Sequence, residues 1–257
     1  MGFIYNGISS QSMKLRARLT DWQASPPLRN SYVTVPGKAG VADFGCDAAE
    51  RHIVIRCGVT PQRSFAELIN ILDGVAGWLD PSRGLGELIL DDVPDRYFMA
   101  RIFETVDCER LLRTAGQFDL KFVCPDPHAY ALADESFIIT AEGIHEVNRV
   151  IGSASSDPVY FLKGTVFSGI SSYISLRTNG SELRVAGVLV AGETLVIDSG
   201  KVTAKVVNAQ GITLRNGLPC LQELNFPSLQ RGVNTVEISA AGAAFTELKI
   251  QAMSRWR

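Results

Sequence analysis

The sequence predicts a mainly β protein built from two domains, and three observations carry that prediction. Apolar residues recur at every second position in short segments along most of the chain, which is the period of a half-buried strand. Turn signals such as Asn179-Gly180, Ser199-Gly200 and Asn216-Gly217 separate those segments at short intervals. Near the middle, Cys124-Pro125-Asp126-Pro127-His128-Ala129-Tyr130 carries two prolines, which forbid regular ladder pairing and mark a boundary. The expected layout is a first domain over 1–130, a connecting segment over 131–150 and a second domain over 151–257.

In the first half, residues 51–59 (RHIVIRCGV) alternate around Ile53, Ile55 and Cys57, and residues 117–123 (QFDLKFV) around Phe118, Leu120 and Phe122. Both read as strands with one buried face. Residues 87–90 and 96–103 flank the turn-rich Asp91-Asp92-Val93-Pro94-Asp95, so 87–103 reads as an extended β-hairpin. One segment departs from period two. Ser64-Phe65-Ala66-Glu67 has the spacing of a capping box, and Phe65, Leu68, Ile69, Leu72, Val75, Ala76 and Leu79 follow at helical intervals until Asp80-Pro81. The spacing predicts one amphipathic helix over 64–79, its stripe turned to the core. The first domain is therefore a β-sandwich-like unit with one helix. In the second half, Tyr160–Leu162, Ile174–Leu176, Leu183–Val185, Glu193–Ile197, Lys201–Val207, Ile212–Leu214, Asn234–Ile238 and Phe245–Gln251 read as strands. Their spacing suggests a β-sandwich or jelly roll.

Bulk properties narrow the function. A chain of 257 residues with 46% hydrophobic content can bury one large core or two smaller ones. Twenty-five basic against 27 acidic residues leave a net charge of −2, which supplies no force for strong nucleic-acid binding. Near neutrality is compatible with a protein that surrounds DNA without gripping it. Cysteines stand at 46, 57, 108, 124 and 220, an odd number with no C-x-x-C pair. That argues against a zinc site and for free thiols kept in a reducing cytoplasm. The first residues lack a signal-peptide pattern, and no run of about 18 apolar residues exists to span a membrane as a helix.

Motifs that would carry chemistry are weak. Asp91-Asp92-Val93-Pro94-Asp95 has the D-D-x-x-D spacing that can hold magnesium, but Pro94 and the flanking strands preclude the helix that would bring those carboxylates to one face. Gly169-Ile170-Ser171-Ser172 lacks the closing glycine of a nucleophile elbow, and Gly84-Leu85-Gly86 lacks the third glycine of a dinucleotide loop. His52, His128 and His145 have no partner that spacing identifies. No catalytic, cofactor-binding or metal residue is assigned, and an enzyme is not expected. Sugar binding stays open as an alternative, because Tyr160, Phe161, Phe167, Tyr173, Phe226, Phe245 and Trp256 populate the second half, although most fall in strand patterns.

Taken in order, several short motifs resemble the siphophage distal tail protein (phage tail component) family over nearly the whole chain. They are Phe3-Ile4-Tyr5-Asn6-Gly7-Ile8, Val35-Pro36-Gly37-Lys38-Ala39-Gly40 and the helix ending in Gly77-Trp78-Leu79. Further on come the hairpin Leu88–Phe98 and the Cys124–Tyr130 motif. In the second half, Gly192–Asp198 and Phe226–Asn234 are similar to strand-and-turn signatures of the family. The resemblance implies a hexameric ring of first domains, closed by a β-hairpin that reaches the neighbouring subunit, with a galectin-like sandwich outside. It implies a virion structural protein at the tail tip, assembled in the host cytoplasm. Its partners would be itself, the tail-tube protein and the tail-tip or baseplate hub protein, with the tape measure protein and DNA in the bore. Independently, exposed strand edges offer unpaired N–H and C=O groups that a twin chain can complete. On that argument the loop before Cys46 and the hairpin 87–103 are expected to contact the next subunit, through Asp91, Asp92, Asp95, Arg96 and Tyr97.

Overall fold

The structure is a computed structural model that describes all residues except Met1, 105–108, 113–114, 170 and 223–224, with the side chains of 109–112 also left aside. Cys108 and Ile170, named above, lie outside the described residues. The chain forms two compact units, Met1–Leu132 (with Arg257) and Ala133–Trp256.

The first unit contains β1 (Phe3–Tyr5), β2 (Ile8–Ser9), β3 (Leu15–Leu19), β4 (Leu28–Val33), β5 (Ala42–Ala48), β6 (Arg51–Val59), α1 (Phe65–Trp78), β7 (Gly86–Leu90), β8 (Val93–Ile102), β9 (Glu109–Leu112), β10 (Ala115–Cys124) and β11 (Ala129–Ala131). Its antiparallel strands run in the order β2-β1-β7-β8-β10-β6-β3. β8 joins the two halves: its first part pairs with β7 and β11, and its last residues pass to β10. β4 and β5 form a separate two-stranded sheet.

The expected strands 51–59 and 117–123 are β6 and β10, paired along their full length from Gly116↔Val59 to Cys124↔Arg51. Alternation has the predicted consequence, since Ile53, Ile55, Cys57, Phe118, Leu120 and Phe122 are all buried. The helix also forms where its cap places it. Ser64 accepts from the Glu67 N–H, and the Glu67 carboxylate reaches back to the Arg63 N–H at 3.0 Å rather than to Ser64. The expected stripe is only partly core. Leu68, Val75, Trp78 and Leu79 are buried, but Phe65 and Ile69 are exposed, because the apolar arc is wider than the surface that covers it. Trp78 fixes the helix: its indole N–H donates to the Tyr5 carbonyl at 3.1 Å and its ring stacks on Phe3, with Phe122 closing the aromatic cluster.

The second unit contains β12 (Ser136–Ile139), β13 (Gly143–Arg149), β14 (Val159–Val166), β15 (Tyr173–Thr178), β16 (Ser181–Val185), β17 (Thr194–Asp198), β18 (Thr203–Val207), β19 (Thr213–Asn216), β20 (Gly232–Ala241) and β21 (Ala243–Gln251). A six-stranded sheet, β12-β21-β14-β17-β18-β19, and a four-stranded sheet, β13-β20-β15-β16, share one core that includes Tyr160, Leu162, Ile174, Leu176, Ile197, Val236, Leu248 and Ile250. The expected sandwich is present. Residues 131–150 are a correction. Read as a connector, they supply β12 and β13, an edge strand of each sheet. Their apolar residues are few and partly outward-facing (Ile138 and Ile144 are exposed), so the alternation signal is weak there.

Two features hold this sandwich. Asn179 and Gly180 both have positive φ, 50° and 84°, the pair a two-residue hairpin turn requires between β15 and β16. Arg149 is fully buried, and its guanidinium donates to the carbonyls of Gln230, Ile151 and Ala154, so the cation is satisfied by backbone oxygens.

Candidate assembly interface

The five residues expected at a contact lie on one hairpin, but its edges are not open. The turn is two residues long, Asp91-Asp92, with Leu90 opposite Val93, and Pro94 lies inside β8 rather than in the turn. β7 is paired on its other side with β1, and β8 with β11 and β10. Much of this hairpin's edge backbone is therefore already paired within the chain. Any contact there would be made by side chains at its tip. Asp91, Asp92 and Asp95 are exposed, while Arg96 and Tyr97 are partly buried. Asp95 is already engaged: Arg96 donates two hydrogen bonds to it at 2.9 Å, which hold its carboxyl below the usual range. Tyr97 stacks on Tyr130 at 5.8 Å.

Beneath that stack, Asp126 accepts from the Tyr130 hydroxyl, from the His128 N–H at 3.1 Å and from the His128 ring at 2.7 Å. Burial pushes the Asp126 carboxyl up, but these hydrogen bonds outweigh it and hold it at about 2. The cluster fixes the chain at the end of the first unit, where sequence reading saw only a proline-rich boundary.

The open backbone lies elsewhere. Among the described residues, β4 and β5 pair only with each other, Leu28↔Ala48 to Val33↔Ala42. The segment between them, 34–41, contains the Pro36-Gly37 loop that sequence reading placed before Cys46. The hairpin exposes large apolar groups on both faces: Leu28 is 66% exposed, Tyr32 55%, Val33 50% and Phe44 69%. Val35 and Val41 add to them. A patch of this kind on an element with no core of its own is a candidate interaction surface. At its root, the Ala49 N–H closes onto the Pro27 carbonyl. There Arg51 is 3% exposed, donates to the Gln23 carbonyl and lies over the Phe98 ring at 5.6 Å. Its Nε and Nη2 have no partner among the described residues.

Other candidates for chemistry do not converge. His52 faces Phe103 at 4.9 Å, and the His145 ring lies 2.8 Å from the Ala141 carbonyl. Among the described residues there is no group of three or more His, Cys, Asp or Glu that could hold a metal. Cys46, Cys57, Cys124 and Cys220 are free. Cys46 is exposed, whereas burial pushes the Cys57 and Cys124 thiols up to about 12. In the second unit Tyr160 is buried, donating to or accepting from Thr178, as expected of core. Phe161 instead lies on the outer face of the six-stranded sheet, in a groove of about 590 Å³ shared with Lys163, Glu193, Asn208, Glu247 and Lys249.

The resemblance read from the motifs is borne out. Residues 7–124 match the family profile of the phage tail protein RIFT-related domain. The first unit is thus similar to a phage tail protein domain, and the whole chain has a Dit-like fold. The crystal structure of SPP1 Dit, described as a paradigm of the hub adsorption apparatus in phages that infect Gram-positive bacteria, superposes over 100% of this chain and 99% of its own, with a TM-score of 0.74 at 16% identity. Two structures of the phage P2 baseplate in its activated conformation are also similar. The one with Ca covers 93% of this chain and 90% of its own at 9% identity and a TM-score of 0.44. The one with Sr covers 92% and 90% at 8% identity and a TM-score of 0.47. No curated protein matches the chain.

Proposed function

We propose that this Dit-like chain is a structural subunit of a phage or prophage tail tip, forming a hexameric ring that joins the tail tube to the tail-tip or baseplate proteins. The observation that carries the reading is the β4–β5 hairpin. It is an element of Leu28, Tyr32, Val33, Val35, Val41 and Phe44, all exposed, with nothing among the described residues to bury them. A hairpin that grips the next copy head to tail makes a heterologous contact, and such contacts close into a ring when the rotation allows. The partners are further copies of the chain, the tube protein on one side and the hub protein on the other. The bore is left for the tape measure protein and DNA, which a chain of net charge −2 surrounds without gripping. No catalysis is assigned. Light scattering of the purified chain, with negative-stain images, tests the reading: the expected result is a sixfold annulus of six chain masses, and a monomer at all concentrations refutes it.

A second reading has one observation in its favour. The groove over Phe161 offers an apolar floor with Lys163, Asn208 and Glu247 at its sides, a composition that suits a sugar ring. Glycan-array binding that disappears in Phe161→Ala would establish a carbohydrate-binding role, and an array without signal removes it.

A further inference from the structure

Resting on the sugar-binding reading, we infer the class of ligand: the outer face of the six-stranded sheet takes a phosphate-bearing glycan, with a sugar on Phe161 and phosphates on Lys205 and Lys249. In β14 the alternation turns Tyr160 and Leu162 into the core and Phe161 and Lys163 outward. Phe161 therefore stands on a face that the sandwich does not need for its own packing. Cross-strand register puts Lys249 of β21 on one side of it, and Val196 of β17 followed by Lys205 of β18 on the other. One row across four neighbouring strands thus holds an apolar centre between two exposed ammonium groups. At ~4.8 Å per strand, the backbones of the two lysines are about 14 Å apart.

The row lies in a groove that is already formed. The cleft of about 590 Å³ over Phe161 adjoins a second of about 450 Å³, and Phe161, Val207 and Gly211 line both. The turn between β18 and β19 walls it and is held by Asn208. The Asn208 side-chain oxygen accepts from the Gln210 and Ile212 N–H groups, and the Asn208 N–H donates to the Ile212 carbonyl at 3.0 Å. A wall fixed in this way costs a ligand little ordering.

Charge and topology select the ligand. Lys163 is taken by Glu247 at 2.8 Å, Lys201 by Asp198 at 3.2 Å, and Arg215 by Glu193. Lys205 and Lys249 form no ion pair among the described residues, and Lys249 lies 5.9 Å from the centre of the Phe161 ring. Two cations without a carboxylate of their own call for an anion. Both are lysines, whose compact ammonium suits a phosphate, whereas the planar fork of arginine is the better match for a carboxylate. Between them, Phe161 offers its face to the apolar side of a sugar ring. An acidic peptide suits the groove less well. Peptides that add to a sheet need a free edge, and β14 and β17 are each paired on both sides.

Isothermal titration of the full-length chain with dextran, phosphorylated dextran, carboxymethyl dextran and polyglutamate tests this. Phosphorylated dextran is expected to bind about tenfold more tightly than dextran or carboxymethyl dextran, with the advantage shrinking at high salt. Lys205→Gln with Lys249→Gln should remove that advantage and leave the affinity for dextran, at unchanged melting, because both side chains are exposed. Phe161→Ala should weaken binding of dextran and phosphorylated dextran alike. Equal binding of those two overturns the phosphate inference and leaves the sugar reading standing. So does an advantage that persists in the double lysine variant, or carboxymethyl dextran that binds as tightly as the phosphorylated form. Polyglutamate that matches phosphorylated dextran overturns the inference in favour of an acidic peptide. Silence from every polymer overturns it alone if the glycan array still gives a Phe161-dependent signal, and overturns both readings if the array is blank.

Discussion

Phe44→Ser separates assembly from folding. The side chain is 69% exposed, and a phenylalanine carries roughly 200 Å² of surface, so about 140 Å² stands ready for burial by another subunit. At ~25 cal/mol per Å² this is about 3 kcal/mol per interface, equivalent to a subunit contact weaker by roughly 100-fold. The same exposure means that the isolated first unit gains almost nothing from the ring, so its own stability should move by no more than about 0.5 kcal/mol. Light scattering across a dilution series, run beside thermal melting of a sample diluted below assembly, reads the two effects separately. The expected result is dissociation of the ring at concentrations about 100-fold higher than wild type, at constant monomer melting temperature. Unchanged assembly would refute the idea that the hairpin's apolar surface is buried between subunits. A melting temperature lowered as much as a core truncation would refute the idea that it is free within one.

Four further outcomes follow from the same structure. The Asp126 carboxyl sits below its unfolded value, so its contribution is present above about pH 4 and disappears as pH falls toward about 2; urea melts against pH should show this step in wild type and lose it in Asp126→Asn. Arg149→Leu strips one buried and two part-buried carbonyls of their donor and should destabilise the second unit by about 3 kcal/mol in denaturant titration, against less than 1 kcal/mol if solvent replaces the guanidinium. Arg51→Met removes a buried cation with two unpartnered nitrogens and keeps the stem over Phe98, so melting should show stability unchanged or raised; a large loss would mean those nitrogens have a partner in solution. Alkylation mapped by mass spectrometry should label Cys46 in the native protein within minutes and Cys57 and Cys124 only on unfolding, because the last two are buried with thiols at about 12.

What could be read in advance depended on whether a residue's burial is decided inside this chain. β6 and β10 were legible because each has one face in the core and one outside, which writes Ile53, Ile55, Cys57 and Phe118, Leu120, Phe122 at period two. The helix was legible through Ser64 and Glu67, whose capping is local chemistry. β12 and β13 were missed because edge strands of a sandwich turn Ile138 and Ile144 outward and so break the alternation. The hairpin of Asp91 and Asp92 was placed correctly, but its edges were expected to be free. Pairing of β7 with β1 joins segments more than eighty residues apart, and no local pattern encodes that.

The β4–β5 hairpin is the instructive case. Leu28-Arg29-Asn30-Ser31-Tyr32-Val33 and Ala42–Ala48 have β-compatible residues around a proline-glycine loop, yet no period. A strand buried on one face by its own chain acquires alternation, because selection for solubility keeps the other face polar. A strand that its own chain buries on neither face is under no such constraint, and one enclosed by a second chain can carry apolar groups on both. Under the proposed ring, the absence of a pattern at Leu28, Tyr32, Val33 and Phe44 and their exposure in the folded chain have a common cause: the surface that would order them into faces belongs to another copy. The alternation of β3 by contrast, Leu15 and Ala17 inward, Arg16 and Arg18 outward, is regular because the first unit's core sets it.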